Sequence, residues 1–248
     1  MRMTGQNTLY KPIAPKGEIN RVKHFHSYEE ASLLINDVFY LESKTFVTKK
    51  CYTDGELSMQ DVNNVLKPLL CPFDTFLDVG SGLGLVVFQL AMTSNVRKLI
   101  GIEPIEKRMN SSAFPVLHSQ LAPSITGRMI FFSESLETAG LGNATVVYCC
   151  NVLFLTSSLL ELTRQIMKSK QLHTVVSYIE LDDISHVFEI KQTVQVVVSW
   201  TSKKVDLFIY KRPARRSKNT KNVMEVKGRH SRRLKVKSGA IDQRTKRM

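Results

Sequence analysis

The stretch Phe76-Leu77-Asp78-Val79-Gly80-Ser81-Gly82-Leu83-Gly84-Leu85-Val86-Val87 constrains this chain most. An apolar run ends in an acid, turns through three glycines at alternate positions and resumes as an apolar segment. That order predicts the first β-strand, a tight loop and the first helix of a doubly wound α/β domain. Glycines let the backbone approach a ligand closely and take positive φ. The helix start that follows offers unpaired N–H groups to an anionic or polar ligand.

The spacing narrows the ligand. A pyrophosphate cradle reads G-x-G-x-x-G. Here the third glycine comes one residue early, and Asp78 stands two residues before the first. A carboxylate at that point repels a pyrophosphate but suits a cation or an amino group. Strand, acid and G-x-G-x-G together resemble motif I of S-adenosylmethionine-dependent methyltransferases. A glycine-rich turn without a ligand is the plain alternative.

Composition limits the rest. The chain has 248 residues, 43% of them hydrophobic, enough for one large α/β domain with appendages or two small ones. No run approaches the roughly 20 apolar residues of a membrane span. The polar N-terminus, Met1 to Lys16, lacks a secretory core. Cys51, Cys71, Cys149 and Cys150 form no C-x-x-C pair, which argues against a zinc module and a disulfide scaffold. They suit a reducing compartment. The net charge of +13 is concentrated at one end. Residues 211–248 hold 15 lysines and arginines against Glu225 and Asp242, whereas residues 1–210 hold 20 basic and 20 acidic residues. A folded body with a polycationic arm is expected.

Periodicity divides the body further. An amphipathic helix is predicted from His26 to Leu41, with Tyr28, Ala31, Leu33, Leu34, Val38, Phe39 and Leu41 on its apolar side. Ser58 is placed to cap a second helix carrying Val62, Val65, Leu66 and Leu69, with Pro68 near its end. Leu85 to Met92 reads as a buried helix and Lys98 to Glu103 as a second strand. A helical stretch from Ile105 to Leu121 contains Pro115, expected to kink or split it. Strands are expected at Met129–Phe132, Ala144–Cys150 and His173–Ile179. A helix over Ser158–Ser169 is expected to turn Leu159, Leu160, Leu162, Ile166 and Met167 inward. Two last strands, Thr193–Trp200 and Val205–Tyr210, read as a hairpin turning at Thr201–Lys204. Alternating strands and helices closed by an antiparallel pair give an open α/β sheet, the layout of the class I, Rossmann-like methyltransferases.

Ligands of such sheets bind at the carboxyl ends of the strands. Asp78 ends the first strand. Glu103 ends the second, where an acid accepts hydrogen bonds from both hydroxyls of a ribose. Glu134, after the third strand, suits an adenine amino group or merely accompanies a helix cap. Asn151 and Phe154 follow the fourth. An asparagine there offers a carbonyl to an amine and an amide to a cofactor, or simply caps the next turn. Phe154 lines a channel or fills the core. Enzymes acting on base amines carry two prolines after that asparagine, and this chain has none. His118, His173 and His186 read as ordinary structural or surface residues.

Gly55-Glu-Leu57, Asp78-Val-Gly-Ser-Gly-Leu-Gly84, Gly101-Ile-Glu103, Asn151-Val-Leu-Phe154 and Val198-Ser-Trp-Thr201 occur in that order. Together they resemble the disruptor-of-telomeric-silencing (DOT) family, the histone H3 lysine methyltransferases that lack a SET domain. The resemblance spans roughly residues 52–210, and the compact length is similar to the short enzymes of trypanosomes. It implies methyl transfer from S-adenosylmethionine to a lysine of nucleosomal histone H3, in the nucleus; from the cysteine spacing and the apolar runs, no metal and no membrane are expected. Glu56 would then belong to a loop over the cofactor. Asp78, Gly80 and Gly82 would take the methionine part, Glu103 the ribose and Glu134 the adenine, with Asn151 and Phe154 beside the methyl and the lysine. The chain departs from the family at Cys150, where an asparagine is usual, and at Leu207, where the hairpin usually has an aromatic. Three regions are expected: 1–50 as a helical lid segment, 51–210 as the catalytic domain and 211–248 as a disordered basic tail. In that tail Arg215, Arg216, Lys218, Arg232 and Arg233 are candidates for DNA phosphates. An RNA methyltransferase and a non-catalytic chromatin-binding relic of the fold are the rival readings.

Overall fold

The computed structural model describes residues 26–46, 57–106 and 113–213. The chain divides into two units, Met1–Arg212 and Pro213–Met248, and the fold is that of the first. Its centre is a seven-stranded sheet of order β3-β2-β1-β4-β5-β7-β6. The strands are β1 (Thr75–Val79), β2 (Lys98–Ile102), β3 (Met129–Phe132), β4 (Val146–Cys149), β5 (Thr174–Ser177), β6 (Glu189–Val198) and β7 (Thr201–Lys211). β1 to β5 are mutually parallel; β7 runs antiparallel to β5, and β6 antiparallel to β7.

Strands covered on both faces read as continuous apolar runs, and β1, β4 and β5 are buried throughout. Alternation splits their side chains between two cores. Phe76, Val146, Tyr148, Val176, Tyr178, Leu207 and Ile209 join one, while Leu77, Val79, Val147, Cys149, Val175 and Tyr210 join the other. Asp78, two residues beyond Phe76, shares the first face. That face is covered by α3 (Leu85–Thr93), in which every residue from Val86 to Thr93 is buried. It is also covered by α1 (Tyr28–Phe46), which presents Ala31, Ile35 and Val38 at helical spacing. α1 starts with a reciprocal capping box: Glu30 N–H donates to Ser27 Oγ at 3.1 Å, and Ser27 N–H donates to Glu30 Oε2 at 2.8 Å. Leu33 faces solvent instead of the core.

Ser58 does cap its helix, α2 (Met59–Asp61), by accepting the Asp61 N–H at 3.0 Å. The segment then widens into a π turn over Val62–Leu66 and tightens over Lys67–Leu69. Pro68 has no N–H to continue an α ladder, which accounts for the irregular end. From the stretch beginning at Ile105 a helix, α4 (Ala113–Gln120), is described, and it includes Pro115. Two short helices follow, α5 (Pro123–Thr126) and α6 (Leu136–Ala139). α7 (Thr156–Lys168) buries Leu162 and Ile166, but Leu160 is exposed because it falls outside the i, i+4 stripe they define.

The hairpin turns two residues earlier than its polar run suggests. Val198 pairs with Thr201, so Ser199 and Trp200 make the turn and Thr201–Lys204 belong to β7. Two residues suffice to close an antiparallel pair. The polar run is accommodated because the start of β7 is largely exposed to water. No helix among the described residues is long and apolar enough to cross a membrane, and no cluster of side chains there could hold a metal ion.

Candidate active site

The loop after β1 turns on its glycines. Gly80, Gly82 and Gly84 have φ of 78°, 56° and 81°, and no non-glycine among the described residues has positive φ. At Gly80 a Cβ would lie 3.2 Å from the Phe154 ring, so the loop and the segment after β4 are in contact there. Gly80 and Ser81 both donate their N–H to the Ile102 carbonyl at 2.9 Å, fastening the loop to the end of β2. Glu103 strengthens that link. Its buried carboxylate accepts Gly82 N–H on Oε2 and Ile105 N–H on Oε1, both at 3.0 Å. A carboxylate offers about four lone-pair sites, so two backbone bonds do not exhaust it. The expected ribose acid is thus also a brace for the glycine loop.

Asp78 is buried at the carboxyl end of β1, directly across from Tyr148 of β4. Asn151, fully buried, opens the 3-10 turn that follows β4. Its Oδ1 accepts the N–H of Tyr178 and of Ile179, both at 3.1 Å. Those two bonds occupy both lone pairs of the carbonyl, which is therefore committed to the backbone beyond β5 and not to an incoming amine. The amide nitrogen Nδ2 is buried with no partner among the described residues. Such an orphan donor costs about 1–3 kcal/mol unless a ligand accepts its proton. Ser81 Oγ is a second orphan in the same loop region. A positive-φ loop, buried acids and an unmatched buried amide fit a polar ligand with an amino group and acceptor oxygens.

Glu134 is half-buried just before α6, and Ser135 takes the helix-cap position without a side-chain cap bond. Glu56 and the tail residues Arg215, Arg216, Lys218, Arg232 and Arg233 lie outside the described residues. The structure therefore assembles Asp78, Gly80, Gly82, Glu103, Asn151 and Phe154 at one pole of the sheet. It also brings in Tyr148 and Tyr178, which the strand-end reading missed because each lies inside an apolar run. The Tyr148 hydroxyl stands 3.3 Å from that of Tyr178, and the Tyr178 ring packs edge-on against Trp200 at 5.4 Å between centroids. Burial pushes the Tyr148 phenol well above its ordinary range, helped by the proximity of Tyr178, Cys150 and Asp78, so it stays protonated. Burial likewise pushes the Cys149 thiol up to about 12, which removes it as a nucleophile.

Five parallel strands closed by an antiparallel pair, with a glycine loop after the first, define a class I methyltransferase. The model of a family described as "Histone methylation protein DOT1" matches residues 34–212. The chain belongs to that family. No curated protein matches it in sequence. Among solved structures, the methyltransferase domain of bacterial CtHen1-C is similar, with a TM-score of 0.51 and 12% identity over 62% of this chain and 96% of that one. TrmK of M. capricolum, bound to S-adenosyl-homocysteine, gives 0.47 and 14% over 63% and 69%. An RNA methyltransferase of Salinibacter ruber with the same product gives 0.47 and 20% over 66% and 97%.

Proposed function

We propose that this chain transfers methyl from S-adenosylmethionine to a lysine of histone H3 held in the nucleosome, and so acts in nuclear chromatin. What carries the reading is the meeting of the glycine loop with Phe154, three residues after the buried Asn151, in a chain of the histone-methylation family. In its support, Asp78 is a buried acid suited to the ammonium of the donor's methionine part, and Gly80 and Gly82 allow close backbone approach. Glu103 would hold the ribose while it braces the loop, Glu134 the adenine edge, and Glu56 a covering loop. The unmatched Asn151 Nδ2 is read as a donor to the cofactor. Arg215, Arg216, Lys218, Arg232 and Arg233 would neutralise DNA phosphates.

When bound, the donor supplies a methyl on a positively charged sulfur. The chain's part is to desolvate, align and hold. A lysine side chain in water, with a pKa of about 10.4, is almost wholly protonated. An apolar channel disfavours the charged form and lowers that value. Phe154 and the aromatic group behind Trp200 are the apolar walls available for it. No strong base is required once alignment is fixed, and alignment itself can contribute several kcal/mol, on the order of 7 in favourable systems.

The test is transfer of labelled methyl to intact nucleosomes, free histones and total RNA side by side, with Gly80→Arg as control. Label on nucleosomal H3 that vanishes in Gly80→Arg is expected, since a long side chain there meets Phe154. Label on RNA alone would overturn the histone reading and leave the fold. Nucleosome binding with no cofactor affinity would identify a non-catalytic relic.

A further inference from the structure

Leu207, seven residues after Trp200, is fully buried and contributes only aliphatic surface. The sheet sets an aromatic beside it. Ser177 of β5 pairs with Phe208 of β7, so the next residue of β5's continuation, Tyr178, falls beside Leu207 on the same face. Tyr178 is buried between Trp200 and Tyr148, and Tyr148 stands across β4–β1 from Asp78. Trp200, Tyr178, Tyr148 and Asp78 thus form a continuous row. It leads from the half-exposed hairpin turn to the acid before the glycine loop. The backbone N–H of Tyr178 also holds Asn151.

Resting on the function proposed above, we infer that Tyr178 is a positioning residue for the acceptor lysine. Its ring, with Trp200, forms the wall along which the alkyl stem runs, and its hydroxyl, fixed by Tyr148, sets the line of the amine. Aromatic faces suit an apolar stem and tolerate a cationic head. The phenol oxygen accepts an amine N–H, which points the nitrogen lone pair in a defined direction. Tyr148 remains protonated and is not a base, and its hydroxyl lies 3.3 Å from that of Tyr178. The number of methyls added then depends on Tyr178, because each methyl replaces one N–H that the hydroxyl can hold.

The decisive variant is Tyr178→Phe, which keeps the ring and the backbone bond to Asn151 while deleting the hydroxyl. Tyr148→Phe, which removes one partner of that hydroxyl and keeps the hydroxyl itself, is the companion. Steady-state kinetics on nucleosomes, mass spectrometry of the methylated lysine and calorimetric titration with S-adenosyl-homocysteine are measured for each. Tyr178→Phe should lower kcat/KM about tenfold and change the ratio of mono- to higher methylation, with the S-adenosyl-homocysteine Kd within about twofold of wild type. Tyr148→Phe should move both in the same direction by less. A Tyr178→Phe enzyme with wild-type rate and product ratio overturns the inference alone. A fall in rate matched by an equal loss of S-adenosyl-homocysteine affinity also overturns it, since the role is then structural. Wild-type protein that methylates no histone lysine overturns the functional reading first, and this inference with it.

Discussion

Asn151 shows how one side chain divides its labour. Its carbonyl ties the turn after β4 to the backbone after β5, and its amide is left buried and unmatched. Asn151→Asp preserves the acceptor and removes the donor. The change should weaken S-adenosyl-homocysteine binding by roughly tenfold or more, because a buried donor is replaced by a charged acceptor facing the same ligand. Unfolding midpoints should shift less than in Asn151→Ala, which loses both backbone bonds; calorimetric titration beside thermal melts checks the pair. The strand-end position of Asn151, Asp78 and Glu103 was legible because apolar runs end in a polar residue there. That Asn151's carbonyl faces backbone was not, since its partners lie 27 and 28 residues away. Tyr178 was hidden for another reason: a tyrosine in Val175-Val-Ser-Tyr-Ile179 is indistinguishable from core filling until Leu207 is seen beside it.

Among elements, the opposite pole of the sheet has its own lock. Asp74, just before β1, accepts Cys71 N–H at 2.7 Å, Thr145 Oγ–H at 2.7 Å and His173 Nε2–H at 2.9 Å. His173 Nδ1 is hydrogen-bonded to the Thr174 hydroxyl, whose oxygen also receives Lys211 Nζ at 2.8 Å. The starts of β1, β4 and β5 and the end of β7 are joined through these groups. Burial alone would raise the Asp74 pKa, but the Cys71, Thr145 and His173 hydrogen bonds and the His173 charge together hold it below the ordinary range. A depressed carboxylate pKa stabilises the fold above the unfolded value, about 3.9, and that contribution fades as pH falls through the native value. Asp74→Asn, which sets an amide against the Cys71 N–H, should cost about 1–3 kcal/mol at neutral pH. The gap from wild type should close below about pH 4, as denaturant titrations across pH would show. His173 reads as ordinary in the sequence because its partner sits 99 positions away. Arg128 is equally silent there: its guanidinium reaches the Ala91, Ser94 and Val96 carbonyls and finishes α3, a C-terminal cap supplied from another segment. Local patterns reveal the elements themselves, since burial on both faces leaves an apolar run; the hairpin turn is misplaced because an exposed strand start looks like a loop.

For the whole molecule, the direction of β7 matters. β7 is antiparallel to β5, so Lys211 lies beside Thr174 at the amino end of β5, and Arg212 is fixed there by the Ser169 and Leu172 carbonyls. The first unit therefore ends at the pole opposite Asn151. Residues 214–248 hold 13 lysines and arginines and two acids, whereas residues 1–210 are neutral by count. The division of roles has a measurable consequence. Removing residues 214–248 should leave S-adenosyl-homocysteine affinity unchanged, because none of the assembled site lies there. Nucleosome affinity should drop, and the dependence of log affinity on log salt should flatten by about 0.9 for each phosphate that is no longer neutralised. Binding measured from roughly 50 to 200 mM salt with full-length and shortened protein reads that slope. Equal slopes for the two proteins would assign phosphate binding to the body and deny the tail its part in holding chromatin.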